Sequence, residues 1–342
     1  MLQLDTIRYM GNKSKLLEFI VPEIQRITPK NGVVCDLMAG SNAVSYALKE
    51  FFTVYTNDVQ EYSYTISEAV IVNQSETVSS KTATLDLQEH FAENNRKKIF
   101  SFFEKTYAKT YFSLKQCEDI DSIRYSISKV NNKNRQALYL FALMGAMCTA
   151  QSSPGHFAQF MPSGHKRIIP LQRMNLWEEF LKKCDKYSNI YFSRTKNKAF
   201  CKDYKELFKT DLLKNINTIY LDSPYSQEQY SRFYHILETV VKYDNPIVNY
   251  KAKYRENRFM SGFCYKGKVE GEFKNILNFC KINNIGLVIS YSNKAVLPVS
   301  KLENMCKKYF RSVQRQDITY NHSTQGKGNK ELSEVIITCF NA

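Results

Sequence analysis

The sequence has no cysteine pair at metal-ligand or redox spacing, a single tryptophan, no apolar run long enough to cross a bilayer, and too few acidic residues to balance its basic ones. Each shortage excludes something. Nine cysteines stand singly, at 35, 117, 148, 184, 201, 264, 280, 306 and 339. With no CxxC and an odd total they read as reduced, mostly core thiols, so a zinc site is not expected. The longest nearly apolar stretch, Ala137 to Ala150, is well short of the roughly 20 residues of a membrane span. The opening MLQLDTIRYM lacks the basic-then-apolar order of a secretory signal. The expectation is a cytoplasmic protein with no metal and no membrane partner.

The shortage of acid leaves 48 Lys+Arg against 33 Asp+Glu, a net charge of +15 that suits nucleic acid or an anionic membrane surface. Since nothing points to a bilayer, nucleic acid is favoured. The rest of the composition is ordinary: 342 residues, 43% apolar and 24% charged. That is enough for one large domain, or a domain with a substantial insertion, and unlike a disordered or collagen-like chain. The charge is uneven. Residues 1 to 79 carry 6 basic and 9 acidic groups, residues 80 to 215 carry 24 and 13, and residues 216 to 342 carry 18 and 11. The middle also loses the strand-turn-helix rhythm of the ends, and stretches such as NNRKKIFSFFEKTYAKTYFSLK (94–115) have helical spacing. We read residues 80–197 as a mainly helical insertion into a domain built from residues 1–79 and 198–342.

The flanks read as α/β. Short apolar runs at Val33 to Leu37, Thr53 to Thr56, Ala199 to Cys201, Thr218 to Leu221 and Gly286 to Tyr291 resemble buried parallel strands. Val313 to Tyr320 and Glu334 to Phe340, separated by a polar loop, suit an antiparallel hairpin at the sheet edge. GKGNK (326–330) in that loop lacks the spacing of a phosphate loop. Apolar spacing from Tyr230 to Tyr243 predicts one helix. In such sheets ligands bind beyond the carboxyl ends of the strands.

Three motifs stand at strand ends. Asp36-Leu37-Met38-Ala39-Gly40-Ser41-Asn42 is a small-residue turn that lets backbone amides approach a ligand, with an acid to accept from its ammonium or hydroxyls; a purely structural turn is the alternative. Asn57-Asp58, about 20 residues on, suits a ribose diol or equally a helix cap. Together the two turns favour an adenosine-bearing cofactor. Asp222-Ser223-Pro224-Tyr225 offers a side-chain acceptor, a rigid backbone carbonyl and a flat ring, which fits a planar group bearing an NH2; a capped proline turn is the alternative.

With Arg8-Tyr9-Met10-Gly11-Asn12-Lys13 before them and CKDY at 201 to 204, these motifs resemble, in their order, the alpha-group N6-adenine-specific DNA methyltransferases. The resemblance covers residues 5 to 75 and about 198 to 342; residues 80 to 197 match only in position and charge. It implies a Rossmann-like methyltransferase domain with a mostly parallel seven-stranded sheet, S-adenosylmethionine as cofactor, and a helical insertion that recognises double-stranded DNA. By position, Tyr9, Gly11 and Lys13 would close the cofactor pocket, and Asp36, Met38, Ala39, Gly40 and Ser41 would surround the methionine moiety. Asp58, after Asn57, would hold the ribose, and Asp203 with Tyr204 would hold the cofactor's adenine. Asp222, Ser223, Pro224 and Tyr225 would take the flipped target adenine. Three residues depart from the family pattern: Met38 for Phe, Asn42 for the second glycine, and Ser223 for the first proline.

Such chemistry needs duplex contacts, and Lys251 to Lys268 carries six basic residues and one acid among aromatics. Lys253, Arg255, Arg258, Lys266 and Lys268 are the candidate phosphate contacts. The family also implies a prokaryotic cytoplasm and a restriction-modification setting, with a companion restriction endonuclease as a further partner. An RNA adenine or cytosine-N4 methylase, and a DNA-binding module that has lost activity, stay open as alternatives.

Overall fold

The computed structural model describes residues 1–7, 9–153, 155–161, 165–320 and 332–341. Arg8 and the GKGNK loop lie outside the described residues. Seven strands form the main sheet: β1 (Val33–Asp36), β2 (Thr53–Asp58), β3 (Lys198–Cys201), β4 (Thr218–Leu221), β7 (Gly286–Ser292), β8 (Ser312–Tyr320) and β9 (Leu332–Phe340). A two-residue ribbon, β5 (Val248–Asn249) with β6 (Tyr254–Arg255), stands apart. The order in the sheet is β3-β2-β1-β4-β7-β9-β8; the first five are parallel, and β9 and β8 complete it antiparallel. The expected α/β class with a mostly parallel seven-stranded sheet and an edge hairpin is what the structure has.

The sheet is covered on both faces because its side chains alternate between two cores. Val34, Val54, Tyr220, Val288 and Ile336 enter one, and Cys35, Ile219, Leu287, Ile337 and Cys339 the other. Helix α1 (Leu17–Ile27) precedes β1, and α2 (Ala43–Leu48) and α3 (Glu61–Ser67) follow β1 and β2. Between β2 and β3 come α4 (Ser80–Lys97), α5 (Phe102–Tyr107), α6 (Leu114–Ile127), α7 (Lys133–Ala150), α8 (Ile169–Gln172) and α9 (Leu176–Lys186). Then α10 (Tyr204–Leu207), α11 (Tyr230–Phe233), α12 (His235–Lys242), α13 (Val269–Ile282) and α14 (Val299–Tyr309) fill the second half. The first core runs without a break from the sheet through α1–α3 into α4–α7 and α9, so the helical block is not packed as a separate body.

Two helical expectations change at single residues. The 94–115 stretch is split because Lys98 takes a left-handed backbone, φ 54°, and ends α4; Ser113 then starts α6 through a capping box with Gln116. The 230–243 helix breaks at Tyr234, φ −122°, whose ring stacks on Tyr9 at 4.6 Å and whose hydroxyl accepts from the Met10 N–H at 2.6 Å. Tertiary contacts outside the local sequence make that break. All nine cysteines are described and unbridged, eight of them buried and Cys201 half-buried. Among the described residues no helix is long and apolar enough to cross a membrane, and no cluster of His, Cys, Asp or Glu could hold a metal.

Helix α7 anchors the block. Its Phe141 is fully buried and stacks face to face on Tyr187, just past α9, at 4.1 Å and 12°. Truncating Phe141 to Ala removes the ring from a packed core and should cost about 3–5 kcal/mol. Chemical denaturation followed by circular dichroism measures it; a loss below about 1 kcal/mol would mean that the block packs loosely.

Candidate active site

Strands β1 and β4 are neighbours whose onward connections lead in opposite directions, β1 towards β2 and β4 towards β7. Such a switch point leaves a crevice at the carboxyl ends. A cleft of about 1160 Å³ lies there, and Asp36, Met38, Ala39, Gly40, Ser41, Asn57 and Asp58 share its wall with Asp222, Ser223 and Pro224. Tyr9, Gly11, Lys13, Asp203 and Tyr204 complete it. The structure therefore gathers every expected cofactor residue and three of the four DSPY residues around one space.

The turn after β1 is held from both sides. Ala39 N–H donates to the Asn57 carbonyl at 2.9 Å, and Gly40 N–H to Asp58 Oδ2 at 2.9 Å. Gly40 has φ +50°, and a Cβ there would stand 3.0 Å from the Tyr9 ring. Asn42 also has a left-handed backbone, φ 61°, a conformation that asparagine tolerates better than most residues. Its amide donates to the Ser63 carbonyl at 3.1 Å and accepts from Ser67 Oγ at 2.7 Å. The replacement of a glycine at 42 thus keeps the turn and adds two bonds to α3. Asp36 is buried; one oxygen accepts from Ser45 Oγ at 2.5 Å, and Oδ1 has no partner. Burial, helped by the nearby carboxylates of Asp222 and Asp58, pushes Asp36 up to about 7, against the Ser45 hydrogen bond.

Asp58 accepts from Gln60 N–H at 2.9 Å as well as from Gly40, and burial raises it against those bonds. Asn57 ties Leu37 and Lys202 together through their carbonyls, at 3.2 and 3.0 Å. Asp203 caps α10 by accepting from Lys205 N–H at 2.9 Å. The Tyr204 hydroxyl donates to the buried Glu272 carboxylate, whose other oxygen meets Lys205 Nζ at 2.7 Å. The far end of the cleft is roofed by residues 259–262: the Gln229 side chain exchanges two bonds with the Ser261 backbone, at 3.1 and 2.7 Å, and Ser231 Oγ donates to the Phe259 carbonyl at 2.7 Å.

Lys13 closes the other end. Asn12 caps the turn that carries it by accepting from Ser14 N–H at 2.8 Å. Its ammonium, 3% exposed, sits 3.2 Å from Asp222 Oδ1 and 3.2 Å from Glu334 Oε1, and 5.2 Å from the Tyr225 ring centre. Desolvation opposes this charge, but the two carboxylates outweigh it and hold Lys13 far above the ordinary lysine range. Desolvation raises Asp222 to about 6 and Lys13 opposes the rise. Tyr225 stands off the cleft wall, next to Gly11, whose φ of +76° and missing side chain let the Tyr225 and Tyr230 hydroxyls approach.

The five basic candidates are not gathered in the cleft. Arg255 is buried and gripped by Asp244 through two bonds of 2.8 and 2.6 Å, so its charge is spent on an internal cross-link instead of a ligand. Lys253 is tied to the Thr106 carbonyl, which fastens the β5–β6 ribbon to α5. Arg258 lies over the Tyr254 ring at 4.8 Å, while Lys266 and Lys268 are exposed. Sequence reading missed Glu334, Glu272 and Gln229. A glutamate within the otherwise apolar run of β9 was the available signal for the first; the other two carry none, since their partners are remote in sequence.

A family model described as D12 class N6 adenine-specific DNA methyltransferase matches residues 9–305. Modification methylase LlaI of Lactococcus lactis subsp. lactis is 27% identical across 97% of this chain and 54% of that protein. Modification methylase StsI of Streptococcus sanguinis is 28% identical across 96% of this chain and 51% of that protein. Type II methyltransferase M2.HphI of Haemophilus parahaemolyticus is 24% identical across 95% and 94%. The chain spans about half the length of the first two relatives and nearly all of the third.

The turn at Asn42 makes a direct prediction. Asn42→Val puts a β-branched residue into a left-handed backbone, costing roughly 1–2 kcal/mol before the two lost bonds are counted. Asn42→Gly keeps the backbone and loses only those bonds. Thermal melts should therefore rank wild type above glycine above valine; valine matching glycine would mean that the turn is not held as described.

Proposed function

The chain belongs to the D12 class N6 adenine-specific DNA methyltransferase family, and on that premise we propose that it methylates the N6 amino group of adenine at a specific site in double-stranded DNA. The proposed methyl donor is S-adenosylmethionine, and the setting is the modification arm of a restriction-modification system with a companion endonuclease. The observation that carries the reading is one cleft walled both by the Asp36–Ser41 turn and by Asp222-Ser223-Pro224, with Lys13 on Asp222.

The residues fit this donor. Asp36 Oδ1 is a buried acceptor without a partner, which an ammonium group would supply. Asp58 and Asn57 suit the ribose end, and Asp203 with Tyr204 the adenine end. When bound, S-adenosylmethionine supplies a methyl group on a cationic sulfur. The chain's own part is positioning and charge complementarity. Asp222, ionised above about pH 6, and the Ser223 carbonyl accept the two N–H bonds of the target amine, drawing its lone pair out of the ring. The Ser223 carbonyl is a backbone group, so a serine there serves where a proline is usual. The base must leave the duplex to reach these acceptors, and Tyr225 offers it a face. Residues 80–197 are proposed as the target-recognition part, with Arg258, Lys266 and Lys268 contacting phosphates. An aspartate opening the DSPY motif favours adenine over cytosine.

Purified protein, S-adenosylmethionine and genomic DNA, digested to nucleosides and examined by mass spectrometry, should yield N6-methyladenine, and single-molecule mapping should place it in one short sequence. Excess RNA should not compete. Asp222→Ala should lower the rate at least about 100-fold with cofactor affinity within a few-fold of wild type. N4-methylcytosine as the product, or no transfer to any duplex, overturns the reading.

Cofactor affinity should also depend on pH through Asp36. Its ionised form attracts the ammonium and is lost as pH falls through about 7, so affinity should weaken by up to about tenfold per unit below that point. Calorimetric titration should find this slope in wild type and a flat profile in Asp36→Asn; a slope that survives the substitution refutes the assignment.

A further inference from the structure

Asp222, partly exposed on the cleft wall, is backed by a buried cation and a second, buried carboxylate. Lys13 Nζ is equidistant, at 3.2 Å, from Asp222 on the cleft wall and from Glu334 on β9. Glu334 stands outside the cleft, 6% exposed in its side chain, and its second oxygen has no hydrogen-bond partner. A glutamate at this place is costly: it lies inside a strand whose neighbours Val335, Ile336 and Ile337 are fully buried. A neutral residue would satisfy the fold more cheaply, and Lys13 would still have Asp222. We propose that Glu334 is a positioning residue for methyl transfer, which shares the Lys13 ammonium with Asp222 and thereby keeps Asp222 a stronger proton acceptor than a simple Lys–Asp pair would be.

The inference rests on the reading of Asp222 as the acceptor for the target amine. Once the amine nitrogen has formed its bond to the methyl carbon, the donor's carbon–sulfur bond being broken and its electron pair left on a now neutral sulfur, the nitrogen carries two hydrogens and a positive charge. Asp222 takes one proton, the electrons of that N–H bond return to nitrogen, and neutral N6-methyladenine remains beside a neutral Asp222. A lysine given wholly to Asp222 would stabilise the ionised carboxylate and weaken it as a base. Divided between two carboxylates, the same lysine fixes the geometry and leaves the cluster with a net charge of −1. The other titratable groups that face the cluster are Tyr220 from β4, Tyr225 from the DSPY motif, Tyr230 from α11 and Asp36 across the cleft. The tyrosines are neutral, held above their ordinary range chiefly by burial, so Lys13 and the carboxylates set the field.

The sign follows from the geometry. Glu334→Gln leaves Lys13 to Asp222 alone and should lower the Asp222 titration midpoint by about one unit, whereas Lys13→Gln should raise it. Glu334→Asp keeps the charge and should stay near wild type. Two measurements read this. Infrared titration of protein labelled at aspartate carboxyl carbons, with Asp222→Asn as the blank, follows Asp222 with neither cofactor nor DNA present. The pH profile of methyl transfer follows its acid limb, which should move down in Glu334→Gln and up in Lys13→Gln, with KM for DNA within about twofold of wild type.

A midpoint that is unchanged or raised in Glu334→Gln overturns the inference, even if wild type methylates adenine normally. If wild type transfers no methyl group while the infrared midpoints move as expected, the proposed activity fails and the effect of Glu334 on Asp222 stands. If Glu334→Gln does not fold, Glu334→Leu, an apolar residue that suits the buried strand, takes its place: an Asp222 midpoint below that of wild type supports the inference, and one unchanged or raised overturns it.

Discussion

The molecule depends on one ammonium group. Lys13 is held between Asp222, at the end of β4, and Glu334, inside β9, and so joins the first turn of the chain to the centre and the antiparallel edge of the sheet. Lys13 and Glu334 are taken out of water while Asp222 keeps 22% of its side chain exposed, so the ammonium is a charge that the fold can hold only with a carboxylate beside it. When the N-terminal segment docks, the cleft gains its closed end, Asp222 gains its orientation, and Tyr225 is set beside Gly11; without it, a buried carboxylate pair would repel itself.

Around this point the fold repeats one device, in which a segment remote in sequence supplies the bonds that a local turn lacks. Tyr234 breaks a helix in order to stack on Tyr9 and accept from Met10. Asn42 adopts a left-handed turn and is fixed by Ser63 and Ser67. Gln229 clasps Ser261 and roofs the cleft with residues 259–262. That last clasp connects the cleft wall to the middle of the basic segment, while Lys253 and Arg255 anchor the same segment to α5 and to Asp244. The positive charge of this region is thus divided between groups that build the protein and groups that remain exposed.

Much of this was legible in the sequence. The five parallel strands and the edge hairpin were visible because buried strands are short apolar runs bounded by turn residues, and such runs carry their own signal. The Asp36–Ser41 turn, Asp58 and DSPY were visible because each sits where a strand ends, and the chemistry of a strand end is local. The break at Tyr234 was not visible: the 3.6-residue apolar spacing of residues 230–243 continues straight through it, and the cause lies more than 200 residues away. Arg255 could not be separated from Lys266 for the same reason, since a cationic side chain reads alike whether it faces Asp244 or solvent.

The sequence by itself determined the class of fold, the order of the motifs and the chemical kind of each group at the strand ends, because these depend on residues close together in the chain. Only the tertiary structure decided which charges meet. Lys13 and Glu334 are 321 residues apart, and nothing in the composition of either segment announces the other. Whether a buried charge is a cost or a working part depends on the distance to its partners and on the water excluded around them, and both are set only when the sheet closes.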